Sequence, residues 1–143
     1  MKTTLQQLSV FLENKIGSLY EIMDILSKAD IRIIAATVAD TTEFGILRLI
    51  TSDNARAYDL LRAAQKNANN SEVIALSCDS LAGSFYEELH KFYVEGVVIE
   101  YMYCFSIGQK AIMVMRVSDT VKALTLAEAK GIVTLSNEDI VAL

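Results

Sequence analysis

Leu8, Val10 and Leu12 recur at every second position, which predicts a strand over residues 5–13. The period then changes. Asn14 to Gly17 read as a turn, and Leu19, Ile22, Met23, Leu26 and Ala29 follow at helical spacing, which predicts a helix over residues 18–29 with one buried face. Ser18 is the expected N-cap, and Glu21 three positions on completes a capping box. Residues 31–40 read as a second strand with two largely apolar faces, Ile33, Ala35 and Thr37 on one and Ile34, Ala36 and Val38 on the other. Such a strand is expected to be covered on both sides. Thr41 to Glu43 is a turn and residues 44–52 a third strand. Ser52 or Asp53 caps a helix over residues 55–66, with Ala57, Tyr58, Leu61 and Ala64 inward, and residues 67–71 break it.

The same order then returns. Strands are predicted over residues 72–79, 97–106 and 109–117, and helices over residues 84–95 and 119–130. Gly17, Ser18, Tyr20 and Glu21 match Gly83, Ser84, Tyr86 and Glu87 at a constant shift of 66 positions. Asp53 matches Asp119, Leu60 matches Leu126 and Ala63 matches Ala129 at that same shift. A constant shift through turns, caps and helices means equal element lengths, and therefore a duplicated module: residues 1–70 and 71–143. Each copy reads β-α-β-β-α, and a fourth strand would close a ferredoxin-like sheet. Residues 67–71 leave almost no room for it in the first copy. Residues 132–135 and 140–143 are the candidates in the second, and exchange of strands between copies stays open.

Composition adds limits. Hydrophobic residues make up 52% of the chain, with no Trp and no Pro, and mean hydropathy is +0.33. Modules this small bury little core alone, so apolar surface is expected to be shared between modules or subunits. Net charge is -5 and the isoelectric point is about 4.8, which argues against a nucleic-acid partner. No run approaches the ~20 apolar residues of a membrane span, and Met1 to Val10 lack a long apolar signal core. A cytoplasmic location, with no membrane partner, is the resulting expectation. Cys78 and Cys104 fit neither a zinc spacing nor a CxxC pair and are read as buried free thiols.

The candidate chemistry lies in the duplicated turn. A helix N-terminus presents unpaired N–H groups and about half a positive charge, and a preceding glycine lets a ligand approach the backbone. Amides near Gly17 and Ser18, or near Gly83 and Ser84, can hold a carboxylate without any arginine. Asp79 beside the second turn could pair with an ammonium. Those are the two needs of a free amino acid. The plainer alternative is a tight turn and a cap with no ligand.

The stretch Leu8 to Leu19, the passage Ala29 to Ile33, Phe44 to Ile50 and, in the second copy, Glu95 to Tyr103 resemble those of tandem ACT-domain proteins. The resemblance covers nearly the whole chain. It implies an α+β fold of two ferredoxin-like β-α-β-β-α-β modules, with antiparallel sheets packed together and helices on one face. It also implies amino-acid binding at module interfaces, through the turn before the first helix and a facing second strand. Carried over, the ligand-binding candidates are Asn14, Gly17, Ser18, Leu19, Ile33, Ile34 and Ala36 in the first copy. In the second they are Asp79, Ala82, Gly83, Ser84, Phe85, Ile99, Tyr101 and Tyr103. Ile16 and Ala82 stand where the family usually has proline, so both turns are expected to be less rigid.

Other residues receive plainer assignments. His90, the sole histidine, is expected on a solvent-facing helix surface, and no metal or other cofactor is expected. Glu87 and Glu88 read as a cap and a solvated face, Met102, Met113 and Met115 as strand core, and Tyr101, Tyr103 and Phe105 as one packed face. Lys15 is the sole cation in the first strand-to-helix loop, which disfavours an acylphosphatase-like enzyme. The resulting expectation is a non-enzymatic amino-acid sensor, dimeric through a second copy of itself. The alternatives are a regulatory subunit of a separate biosynthetic enzyme, of the acetolactate synthase small-subunit type, or a structural dimerisation module.

Overall fold

The computed structural model describes residues 3–13, 17–40, 44–79 and 81–143. Candidate Asn14 and the expected turn at 41–43 lie outside these residues. The elements are β1 (Leu5–Glu13), α1 (Ser18–Lys28), β2 (Ile33–Asp40), β3 (Phe44–Thr51), α2 (Asn54–Ala63) and β4 (Ala68–Asp79). There follow α3 (Ser84–Tyr93), β5 (Ile99–Ile107), β6 (Lys110–Val117), α4 (Thr120–Ala129) and α5 (Asn137–Val141). Two compact units result, one of Gln6–Ser71 and one of Glu72–Leu143 with the N-terminal segment ending at Leu5. The expected α+β class and the doubled ferredoxin-like order are present.

In the first unit the strands run β2-β3-β1, all antiparallel. Leu8, Val10 and Leu12 of β1 and Leu47 and Leu49 of β3 share a core with Ile22 and Leu26 of α1 and Ala57 and Leu61 of α2. Both helices therefore lie on one face of the strands. Each fully buried Leu or Ile contributes roughly 1.5–3 kcal/mol over an exposed one. The second unit runs β4-β6-β5, again antiparallel. Ile74, Leu76, Met113, Met115 and Val117 pack there on Phe92 of α3 and Ala123 and Ala127 of α4.

The fourth strands depart from expectation. Residues 67–71 do not simply break the helix. The Phe11 N–H donates to the Asn67 carbonyl at 3.1 Å, and β4 begins at Ala68, so the first unit ends in a short strand that runs on into the second unit's first strand. In the second unit the closing strand is a single bridge, Leu76 with Thr134, reinforced by the Leu135 N–H donating to the Ala75 carbonyl at 2.8 Å. Residues 140–143 form no strand; a capping box at Ser136 and Asp139 starts α5 instead.

Three burial expectations also change. As an edge strand, β2 leaves Ala36, Val38 and Ala39 exposed rather than covered on both sides. Ala64 is exposed because α2 ends at Ala63. Cys78 is buried but Cys104 is exposed, on the outermost strand β5. Met113 and Met115 are core, Met102 is half-buried, and His90 is exposed between the rings of Tyr86 and Tyr93.

Candidate functional site

Both strand-to-helix turns end on a glycine in the left-handed region, Gly17 at φ 92° and Gly83 at φ 87°. A Cβ at either position would meet nothing within 4 Å. The backbone conformation, and not crowding, therefore favours glycine here. These glycines, and not Ser18 and Ser84 as the sequence suggested, are the N-caps of α1 and α3, and neither has a side chain with which to cap. The capping boxes expected there do not form. The Ser18 hydroxyl instead donates to the Glu13 carbonyl at 3.0 Å and ties the helix start back to the end of β1. Glu21 pairs with Lys66. The first helical bonds run from Glu21 N–H to Gly17 C=O at 2.8 Å and from Glu87 N–H to Gly83 C=O at 3.0 Å.

The two turns have different surroundings. Beside the first lies a cavity of about 500 Å³ that brings Gly17, Ser18 and Leu19 together with Leu12, Glu13, Tyr20 and Met23. A second cavity of about 530 Å³ shares Leu12, Glu13 and Ser18 with it, and is lined also by Phe11, Phe44 and Ile22 with Ala64, Gln65, Lys66 and Asn67. The Phe11 and Phe44 rings meet edge to face at 5.7 Å. In the second unit the neighbouring groove is about 250 Å³ and contains Asp79 and Ser84 but not Ala82, Gly83 or Phe85. Asp79 already has an ammonium, the Lys110 Nζ at 2.6 Å, and that hydrogen bond raises the Lys110 pKa above its ordinary value. Burial pushes the Cys78 thiol up, and the nearby Glu88 adds to this.

The strand candidates lie elsewhere. Glu13 pairs with Phe44 at one end of β3, and Ile33 with Thr51 at the other. Seven steps at ~3.3 Å each separate those ends by about 23 Å. Ile99 is as far from Asp79, since Asp79 pairs with Lys110 and Ile99 with Val117. Ile34, Ala36, Tyr101 and Tyr103 line neither turn cavity, and Ile33 lines a separate hollow with Met23, Leu26 and Asp30. Sequence reasoning missed Phe11, Phe44 and Lys66 in the first unit and Lys110 in the second. The signal was available as a difference between copies: positions 11 and 77, and 44 and 110, diverge where the turn itself matches.

Among the described residues no cluster of His, Cys, Asp and Glu side chains is placed to hold a metal ion. No described helix is long and apolar enough to cross a membrane.

Comparison with known proteins agrees with this duplicated architecture. A crystal structure of a protein from Bacteroides thetaiotaomicron is 36% identical, covers 98% of this chain and 97% of that one, and superposes with a TM-score of 0.92. The regulatory subunit of aspartate kinase from Thermus thermophilus, in a ligand-free form, shares the fold at 11% identity and a TM-score of 0.60, over 87% of this chain and 90% of that one. The aspartate kinase of Clostridium acetobutylicum matches 87% of this chain with 31% of its own length, at 10% identity and a TM-score of 0.51. A search of curated protein sequences gave no significant match. The profile of the ACT domain pair matches residues 3–143. With two left-handed turn glycines, two sets of antiparallel strands backed by helices and that match across nearly its whole length, the chain belongs to the ACT domain pair family.

Proposed function

We propose that the protein is a non-enzymatic regulatory sensor that binds a free amino acid, with the turn at Gly17 as its principal site. The observation that carries this reading is the start of α1 at a left-handed glycine with open space above it, beside a cavity of about 500 Å³. Backbone N–H groups and the positive end of the helix favour a carboxylate there, and Glu13 lines the same cavity. The turn at Gly83 is the weaker site, because its groove is about half the size and does not include Gly83. One small ligand cannot span the ~23 Å from the turn to the start of β2 in its own module. The facing strand, Ile33, Ile34 and Ala36 or Ile99, Tyr101 and Tyr103, is therefore supplied by another module, in a dimer with a second copy of the chain. The exposed rings of Tyr20 (75%) and Tyr86 (71%), at matching helix positions, suit such an interface.

Isothermal titration against the twenty amino acids tests this. At least one is expected to bind with a Kd between ~1 µM and ~1 mM, about -8 to -4 kcal/mol. Gly17→Asn tests the location, because asparagine tolerates the left-handed region while its side chain enters the open space above the turn. That variant should keep its melting temperature and lose the heat of binding. If none of the twenty gives heat with the wild-type protein, the sensing role is wrong and a packing scaffold is left.

A further inference from the structure

The two cavities beside the turns occupy one place in the repeat. Shifted by 66 positions, Glu13 and Ser18 of the first become Asp79 and Ser84 of the second, and all four line their own cavity. The rest of the wall has changed character. Phe11 and Phe44, each 43% exposed, correspond to Ser77 and Lys110; Leu12 and Ile22 correspond to Cys78 and Glu88. The cavity of about 530 Å³ in the first module, where these apolar side chains share the lining with Glu13, Gln65, Lys66 and Asn67, is matched by a groove of about 250 Å³ in the second that is almost wholly polar. That groove holds the Asp79–Lys110 pair at 2.6 Å, and Glu88 is tied to Lys91 at 3.1 Å.

From this divergence we infer that the chain binds an amino acid with a large apolar side chain, aromatic or branched, and binds one per chain, in the first module. This rests on the sensing reading above and names its ligand class. The turn cavity and the cavity holding the phenylalanines share Leu12, Glu13 and Ser18, and we place the ligand's carboxylate at the Gly17 turn with its side chain beside Phe11 and Phe44. Burial of an apolar group against those rings is favourable. In the second module the same group would strip water from Asp79, Lys110 and Glu88 without replacing their partners. The repeat has kept the turn in both copies and the side-chain pocket in one.

Titration of the full chain with L-phenylalanine, L-leucine, L-alanine, L-serine and L-aspartate is the test. Phenylalanine or leucine should bind at least ~10-fold tighter than alanine or serine, with about one site per chain. Phe44→Lys, which places the second module's residue in the first, should weaken that binding at least ~10-fold, and Phe11→Ser should do the same. Lys110→Ala should leave it within ~2-fold. Both phenylalanines are partly exposed, and melting curves of each variant establish that it is folded. Preference for serine or aspartate, two sites per chain, or unchanged binding in folded Phe44→Lys overturns the inference while leaving amino-acid sensing intact. No heat with any of the twenty amino acids overturns both.

Discussion

Asp30 and Gln65 sit at φ 57° and 62°, where the second copy has Gly96 and Gly131 at 74° and 68°. All four end a helix in the same way. The next residue's N–H reaches back five positions, from Ile31 to Leu26, Lys66 to Leu61, Val97 to Phe92 and Ile132 to Ala127, at 2.8–3.1 Å. The first copy therefore holds two non-glycine residues in a conformation that costs them about 1–2 kcal/mol, less for aspartate. Gln65→Gly should stabilise the protein by about 0.5–1 kcal/mol after glycine's own entropy cost, and Asp30→Gly by less. Urea midpoints would measure it, and a loss of stability in Gln65→Gly would mean that its side chain has a stronger role at the cavity rim. The thiols belong to this scale too. Desolvation raises both the Cys78 and the Cys104 pKa above the ordinary 9.0. Both should label more slowly than free cysteine with a thiol reagent at neutral pH, Cys78 the slower because it is 8% exposed.

Among the elements, α2 and α4 start alike. Asp53 accepts from the Arg56 N–H at 3.1 Å and Asp119 from the Lys122 N–H at 3.0 Å. Asp53→Ala and Asp119→Ala should each cost about 1 kcal/mol in chemical denaturation; a null effect at either would show that helix to be held by packing alone. At α5 the Asp139 carboxyl is held below its ordinary 3.8 by the Ser136 backbone N–H and then its hydroxyl. A lowered pKa means that its contribution is present above that ordinary value and is lost as pH falls through the folded one. The protection of α5 amides against exchange should therefore fall below pH ~4, and Asp139→Asn should remove most of that acid response, Ser136→Ala only the smaller hydroxyl part. Much of this level was legible in the sequence. The period-2 and helical patterns located α1 to α4 and the strands before and after α1 and α3, but not α5, and aspartate caps act locally enough to be read directly. The serine caps were not, because a capping box in sequence does not report that Gly17 and Gly83 turn left-handed first. The first unit's closing strand was hidden in Ala68 to Ser71, polar residues that become a strand because β1 offers them partners. The exposure of Cys104 and Val38 follows from edge positions in strand order, which period alone does not carry.

At the scale of the molecule, duplication gave two units with one plan and two chemistries. The turn glycine, the strand order and the aspartate caps recur, while the wall beside the turn carries two phenylalanines in one copy and Ser77 and Lys110 in their places in the other. The candidate site was legible as far as the turn, where matching residues mark it. Its pocket was not, since Phe11, Phe44 and Lys66 converge from β1, β3 and the loop after α2. Binding to the folded state alone should raise stability by about 2.7 kcal/mol at a ligand concentration of 100 times Kd, visible as a rise in melting temperature. The most direct test is a backbone-amide NMR titration of the full chain with the amino acid that binds best. The account predicts that the Gly17, Ser18 and Leu19 amide resonances shift and saturate with the binding isotherm, with smaller changes at Gly83 and Ser84. Saturable shifts confined to other residues, with the Gly17 turn silent, would contradict it.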